Sequence, residues 1–318
     1  MTKLESILLR TTVVRFAIAW SKKIILPGFD QVPLYDVVIF FISQMNKVGL
    51  NDRAAAVSFN FLMAIPAATI FLCTLIPYMP ISREITVELL DLTRTIAPNE
   101  NTYQAVSRFL NDFLNTPRSG LLSVGFIIAV YYASNSVLAM MRSFNRSFMQ
   151  VKRRGIVRER WTAIKLTTAL ILLIMATITL LVTQGELFRY LMKLLNIQNP
   201  VIRWLIFSIR GVIMVLLVLY SIGIIYKYAP AIPKRWKLAS PGAILATLLV
   251  ILSTFILSFW ATHFSSYNKI YGSIGTLMLL MFLVYVNSLI LLIGYELNVS
   301  IHSLKAIAEE REKTETPA

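Results

Sequence analysis

Ionisable side chains within or beside long apolar segments are the residues of this 318-residue sequence that could carry chemistry. A charge near the centre of a bilayer costs about 2.5 to 3.5 kcal/mol on insertion scales, so such a group needs a reason to be there. Glu296 is the main candidate. It could face a cavity, pair with a basic residue such as Arg142 or Arg53, and take up a proton or gate a pathway. It could equally lie at the cytoplasmic interface, solvated or in a structural ion pair.

A polar stripe follows one apolar segment at helical spacing. Its members share one side of a helix and are Asn135, Arg142, Asn145 and Arg146. Guanidinium groups bind phosphate through paired hydrogen bonds, so the stripe could guide an anionic headgroup, or it could fix helix packing. Asn60 and Asn287 are similarly ambiguous, and interhelical hydrogen bonding is favoured for both. The candidate pathway or headgroup-binding residues are therefore Asn60, Asn135, Arg142, Asn145, Arg146, Asn287, Glu296 and Asn298.

Other reactive residue types offer little. Cys73 is the single cysteine, and with two histidines it cannot build a disulfide framework or a histidine-rich metal site within one chain. No Walker lysine follows the glycine pair Gly272 and Gly275. The carboxylates of the proposed cytoplasmic loops are scattered, whereas a nuclease needs them clustered around a metal or a general base. We predict no metal, no cofactor and no enzymatic activity.

The densest basic segment consists of Lys152, Arg153, Arg154, Arg158 and Arg160. Only one aromatic residue, Trp161, interleaves these charges, and no recognised RNA-binding motif surrounds them. Basic residues beside membrane helices are expected to meet anionic lipid. The predicted partners are membrane lipids, especially anionic headgroups, rather than nucleic acid. A homo-oligomer is possible, and the sequence does not decide the oligomeric state.

Composition and uncharged runs identify the elements that must position these groups. The chain is 57% hydrophobic and 15% charged, with a mean hydropathy of +0.68, which is too apolar for an ordinary soluble domain. Crossing a bilayer takes about 20 mostly apolar residues. Five runs without Asp, Glu, Lys or Arg are long enough: 54–82, 119–141, 166–185, 238–268 and 270–295. A sixth, 211–226, reaches a normal length when it is extended back to Trp204.

These runs predict an all-α, polytopic membrane protein with six transmembrane helices. Residues 1–53 form a cytoplasmic or interfacial amphipathic region, in which Val37–Met45 is an interfacial or re-entrant helix. Residues 54–302 form the transmembrane domain, and 303–318 form a charged cytoplasmic tail that frays near its end. The connection from Arg83 to Ser119 predicts two short helices that form a periplasmic cap.

The distribution of basic residues predicts the orientation. With six crossings, 22 Lys and Arg lie on the side of the termini and eight on the opposite side, with Arg210 left out as intramembrane. The positive-inside rule then places both termini in the cytoplasm. Most of the net charge of +15 is explained by topology.

Several motifs together resemble the YihY/virulence factor BrkB family over about residues 35–302. They are Asp52-Arg53-Ala54-Ala55-Ala56 before a helix with Pro66, Ser134-Asn135 with Met140 to Arg146, Ser240-Pro241-Gly242-Ala243, and Tyr271 to Gly275 running into Leu291 to Asn298. The resemblance implies a bacterial inner-membrane protein with six transmembrane helices. Family members were once labelled ribonuclease BN, which is regarded as a misassignment, and transport has been suggested. Tyr295 departs from the small residue more common before the glutamate.

Two main functional hypotheses follow. The first is a transporter or flippase-like protein without ATPase activity, which moves a lipid or small amphiphile. Pro66, in the middle of the first run, kinks or ends its helix, which could mark an internal cavity or could be a structural kink without a ligand. The second is a membrane scaffold or assembly factor for envelope proteins. A cavity lined by Asn135, Arg142, Asn287 and Glu296 would favour transport, and dry packing around them would favour a scaffold. A ribonuclease is a third, less supported hypothesis.

Overall fold

A computed structural model describes most of the chain. The described residues are 19–22, 24, 28–29, 32–47, 49–75, 77, 87, 90–91, 93–94, 100–115, 119–147, 154–182, 200–232, 236–263 and 273–315. Of the expected amphipathic N-terminal region, residues 1–18 lie outside this set, as does most of 83–99 in the expected cap.

The described residues form eight main α-helices, so the predicted all-α class is confirmed. They are α1 (Leu34–Lys47), α2 (Leu50–Leu75), α3 (Glu100–Asn115), α4 (Ser119–Asn145), α5 (Ile156–Val182), α6 (Pro200–Tyr228), α7 (Pro241–His263) and α8 (Ser273–Glu315).

Five of these helices contain segments long and apolar enough to cross a membrane. The segments are Leu50–Phe71 in α2, Leu122–Asn145 in α4, Gly211–Tyr228 in α6, Pro241–Trp260 in α7 and Leu277–Glu310 in α8. Helix α5 is not among them, and its first turns contain Arg158, Glu159 and Arg160. The sixth crossing therefore stays a prediction. The cap also stays a prediction, although α3 supplies a helix within the expected connection.

The helices pack as a bundle in which α2, α4 and α8 surround the most buried residues. Helix α4 runs along α2, α8 packs against both α2 and α7, and α5 and α6 extend the bundle beside α4 and α7. Large apolar side chains such as Val212, Leu248 and Phe255 remain exposed on its outer faces. Such faces are unfavourable in water but suit hydrocarbon, which supports a multi-pass membrane protein.

Helix α1 differs from the spanning helices, as the sequence predicts. It is a short apolar helix that packs one side against the distal part of α8, where Val37 is fully buried beside Ile301. Its opposite side leaves Val38, Ile39 and Ile42 exposed. Gly49 then turns the chain into α2 with a φ of +60°, a conformation that glycine adopts without steric cost.

Two helix boundaries differ from the sequence prediction. Helix α2 begins at Leu50, before the charge-free run at 54, so Arg53 belongs to its first turn. The sequence places Glu296 in the last turn of the sixth predicted helix and predicts a frayed tail from Glu309 to Ala318. Helix α8 continues to Glu315, so both predictions are wrong. The tail sequence is rich in Ala, Glu and Lys, which have high helix propensity, and so it extends the helix.

Candidate functional site

A buried ion pair joins α2 to α8 at the centre of the candidate site. The Nη1 atom of Arg53 donates to Oε1 of Glu296 at 3.1 Å. The arginine side chain is 5% exposed and the glutamate side chain 1% exposed, so both charges are buried inside the helix bundle. A pair this deeply buried is stable only when further hydrogen bonds satisfy its remaining atoms.

Those further bonds come from the C-terminal end of α4. Arg53 donates from Nε to Oγ of Ser143 at 3.1 Å, and from Nη2 to the Ser143 carbonyl oxygen and to Oγ of Ser147 at 2.8 Å. The Ser147 hydroxyl in turn donates to Oε1 of Glu296. A cation on the last carbonyls of a helix is favoured by the helix dipole. Arg53 therefore holds three helices together at one point.

One oxygen of the glutamate is left over. Oε2 of Glu296 is buried and has no hydrogen-bond partner within the described part of the chain. Aromatic rings pack beside the pair: Tyr295 stacks on Phe144 at 4.0 Å between centroids, and Tyr226 and Trp236 contact Tyr295 edge-on or tilted. These rings exclude water from that side, so the unpartnered oxygen lies in a poorly solvated environment.

A polar pocket of about 230 Å³ opens on the other side of Arg53, between α2 and α4. Within the described part of the chain, its lining combines three arginines, two asparagines and small or apolar residues, with no acidic residue: Arg53, Ala56, Asn60, Asn135, Leu138, Ala139, Arg142, Ser143 and Arg146. Three guanidinium groups around one open space attract anions and can bind phosphate oxygens in pairs. The pocket is therefore a candidate anion site.

The structure brings only some of the predicted residues together. Asn60, Asn135, Arg142 and Arg146 line the pocket, and Glu296 lies behind Arg53. Of the two basic residues offered as partners of Glu296, the structure selects Arg53. Arg142 lies 3.6 Å from Glu159 instead, in a pair whose arginine is 60% exposed.

The remaining three candidates make structural contacts outside the pocket. Asn145 accepts a hydrogen bond at 2.9 Å from the backbone of Ala231, and Asn287 accepts one at 3.4 Å from Ser253. Asn298 accepts from the backbone N–H of Gly242 at 2.8 Å and donates to Ser240. These bonds connect α4 and α8 to their neighbours.

Glycine contact fixes the crossing of α7 and α8. A Cβ atom on Gly242 would overlap the backbone oxygen of Gly294 and lie 2.7 Å from Cγ of Asn298. Ser240 caps α7, accepting from Ala243 at 3.3 Å, and Pro241 occupies the first helical position. Gly242 and Gly294, which lack side chains, therefore permit the close approach of α7 and α8.

Part of the basic segment serves the fold and not a free surface. The Arg154 guanidinium donates to the carbonyl oxygens of Ala229 and Pro230 at 3.1 and 2.9 Å, which satisfies the C-terminal end of α6. Arg160 donates to Oδ1 of Asn135 and stacks 4.6 Å from the Tyr131 ring centroid. Lys152 and Arg153 lie outside the described residues.

Sequence reasoning missed Ser143 and Ser147. Both are small polar residues at the end of an apolar run, and each follows an arginine. Their spacing of four positions places them on one helix face, and Arg53 contacts that face. That spacing was the available signal. Serines in membrane helices usually bond their own backbone, which hides those that bond a partner.

The chain is similar to known proteins over most of its length. The sequence profile of the family described as Virulence factor BrkB matches residues 41–318. A protein of Bacillus subtilis named "Putative ribonuclease-like protein YfkH" is 29% identical over 82% of this chain and 93% of its own length. A UPF0761 membrane protein of Haemophilus influenzae is 22% identical over 84% of this chain and 95% of its own.

A third relative is longer than this chain. It is a UPF0761 membrane protein of Stenotrophomonas maltophilia, 25% identical over 80% of this chain, and the match spans 59% of that protein. No solved structure matches. The family match, together with five apolar helices of membrane-spanning length, identifies the chain as a membrane protein that belongs to the Virulence factor BrkB family.

Proposed function

We propose that this protein moves an anionic lipid or small amphiphile across, or within, the bacterial inner membrane, without enzymatic or ATPase activity. In this proposal both termini lie in the cytoplasm, and transport is downhill, driven by an ion gradient or powered by a partner. The observation that supports it is the open pocket between α2 and α4, lined by Arg53, Arg142 and Arg146.

The size and chemistry of the pocket suit a headgroup. A volume of about 230 Å³ is several times the roughly 30 Å³ that a water molecule occupies in the liquid, so a phosphate with its ester carbons fits. Asn60 and Asn135 add amide groups to the arginine donors. In a bundle whose outer faces are apolar, acyl chains can remain in the bilayer while the headgroup enters.

A scaffold is the second candidate, and a specific observation favours it. Asn298 and Gly242 lie in tight, buried contact, and Asn287 and Glu296 do not line the pocket. Four polar residues were expected to separate the two hypotheses. Asn287 and Glu296 lie outside the pocket and contact neighbouring helices, whereas Asn135 and Arg142 border its open space.

Reconstitution separates the two. Proteoliposomes containing fluorescent phosphatidylglycerol are treated with a membrane-impermeant quencher, and the fraction of inner-leaflet lipid that becomes accessible is followed with and without pH and sodium gradients. We expect movement by the natural protein, a loss of about tenfold or more in an Arg142→Ala/Arg146→Ala variant, and no change in Arg108→Ala, an exposed arginine on α3.

The contrary result is also clear. If no labelled lipid moves under any gradient, and the pocket variants change only the amount of protein recovered, transport is wrong. Cross-linking that then captured a defined envelope protein through these helices would favour the scaffold.

A further inference from the structure

We propose that loading of the pocket is coupled to one proton: an entering phosphodiester anion draws Arg53 away from Glu296, and Glu296 takes up a proton on Oε2. The inference rests on the anion site of the proposed function and specifies its coupling ion. Atoms and charge balance, because one anion and one proton enter the same site and no covalent bond between heavy atoms changes.

The first step of the argument is the double role of Arg53. It lines the pocket, and it also pairs with Glu296 at 3.1 Å. Its Nη1 atom bonds the glutamate, whereas Nε and Nη2 bond Ser143 and Ser147. The bond to Glu296 is therefore the one that an anion can replace while the arginine stays anchored to α4.

The second step is the consequence for Glu296. Without Arg53 its carboxylate would keep the hydrogen bond from Ser147 but lose its countercharge at a side chain only 1% exposed, which is unfavourable. Oε2 has no hydrogen-bond partner among the described residues, so a proton can be added there without breaking a bond that the structure shows. Protonation removes the buried charge that the departing arginine leaves behind.

The third step is the electrostatic balance of the whole site. The groups that face the pair are Arg146 from the end of α4, which repels Arg53, and Tyr295 from α8 itself. Helix α7 contains no Asp, Glu, Lys or Arg, and Asp36 of α1 is exposed. An anion of charge −1 entering with a proton of charge +1 leaves the net charge of the site unchanged, whereas entry of the anion without the proton would leave Glu296 as a buried charge without its arginine.

Proton counting on the purified full-length protein in detergent tests the inference. The probes are dimethyl phosphate and dihexanoyl phosphatidylglycerol, phosphodiesters that do not titrate near neutral pH. Calorimetric binding is measured in buffers with different ionisation enthalpies, whose slope gives the protons taken up per anion. We expect about one proton for the natural protein and none for Glu296→Gln, which still binds. Glu159→Gln removes the half-buried carboxylate that lies 3.6 Å from Arg142 and serves as the matched control, with the natural proton count.

The remaining outcomes are decisive as well. If Glu296→Gln does not fold, the affinity of the natural protein still reports coupling, because it should weaken about tenfold per pH unit where Glu296 is ionised before binding. Binding without proton uptake, or uptake that persists in Glu296→Gln, overturns the inference and leaves transport standing.

Binding with proton uptake but without lipid movement in proteoliposomes leaves the coupling standing and refutes transport. Failure of both probes to bind refutes the anion site and the coupling together. Binding of both probes identifies a phosphodiester site, and binding of the lipid alone identifies a headgroup site; either result supports the inference when the proton count agrees.

Discussion

Replacing Arg53 should destabilise the folded protein more than replacing Glu296, and the two changes should not add. Arg53→Met leaves Glu296 as a buried carboxylate without its cation and removes the donors to Ser143 and Ser147. Removing one partner of a buried ion pair lowers the free energy of unfolding by about 3–5 kcal/mol. Glu296→Gln keeps an acceptor oxygen for Arg53 and leaves the bonds to α4, so we expect a loss of roughly 1–3 kcal/mol.

The double variant supplies the refutation. Arg53→Met/Glu296→Gln contains neither charge, so it should be more stable than Arg53→Met alone, which requires a coupling energy between the sites larger than the roughly 1–3 kcal/mol lost in Glu296→Gln. The assay is loss of helical circular dichroism in mixed micelles with increasing sodium dodecyl sulfate. The control is the pair of Arg142 and Glu159, whose arginine is 60% exposed and therefore well solvated, and the same cycle should give about 0–1 kcal/mol there. Additive losses at Arg53 and Glu296 would show that they do not interact in the folded state.

Two further predictions concern packing and orientation. Gly242→Ala should lower the recovery of folded protein and the midpoint of its unfolding, because the added methyl overlaps the backbone of α8. Gly120→Ala, with open space around the glycine, should be neutral or slightly stabilising. Size-exclusion profiles measure the recovery, and the dodecyl sulfate titration measures the midpoint. For orientation, a cysteine at Asp112 should react with a membrane-impermeant maleimide in intact bacteria, and one at Glu310 only after permeabilisation, in a Cys73→Ser background. The reverse labelling pattern would invert the proposed topology.

The spanning helices could be predicted from the sequence because the bilayer imposes a length on any charge-free run. Their ends could not, since absence of charge is a different property from helical backbone. Helix α2 starts four residues before its uncharged run, and α8 continues through Glu296 to Glu315. Charged residues are compatible with a helix wherever another helix, or water, satisfies them.

The polar stripe on α4 illustrates what rotation around a helix decides. At about 100° per residue, Arg142 and Arg146 lie within about 20° of Asn135, whereas Asn145 is about 80° away. The first three line the pocket, and Asn145 bonds the backbone of Ala231 instead. The angle could have been computed from the sequence, but the identity of the neighbour on each side depends on packing between helices.

The choice of Arg53 over Arg142 as the partner of Glu296 has the same origin. Both arginines belong to the same end of the bundle, because α2 begins where α4 ends, so depth alone does not separate them. What separates them is direction: α8 packs extensively on α2 and only lightly on α4, and the arginine on its neighbour is the one that reaches the glutamate. Arg142 is left to the open side, where it borders the pocket and meets Glu159.

The position of the pair also bears on how a ligand would be loaded. In the proposed orientation the first turn of α2 and the last turn of α4 face the cytoplasm, so the pocket lies near the inner leaflet, and Arg53 both lines it and pairs with the buried Glu296. An anion that reached Arg53 would meet the residue whose bond to Glu296 joins α2 to α8, while its bonds to Ser143 and Ser147 keep α2 joined to α4. A ligand shifts a conformational equilibrium only through different affinities for the two states. Competition with Glu296 for a single guanidinium provides that difference, which a pocket separated from the ion pair would lack.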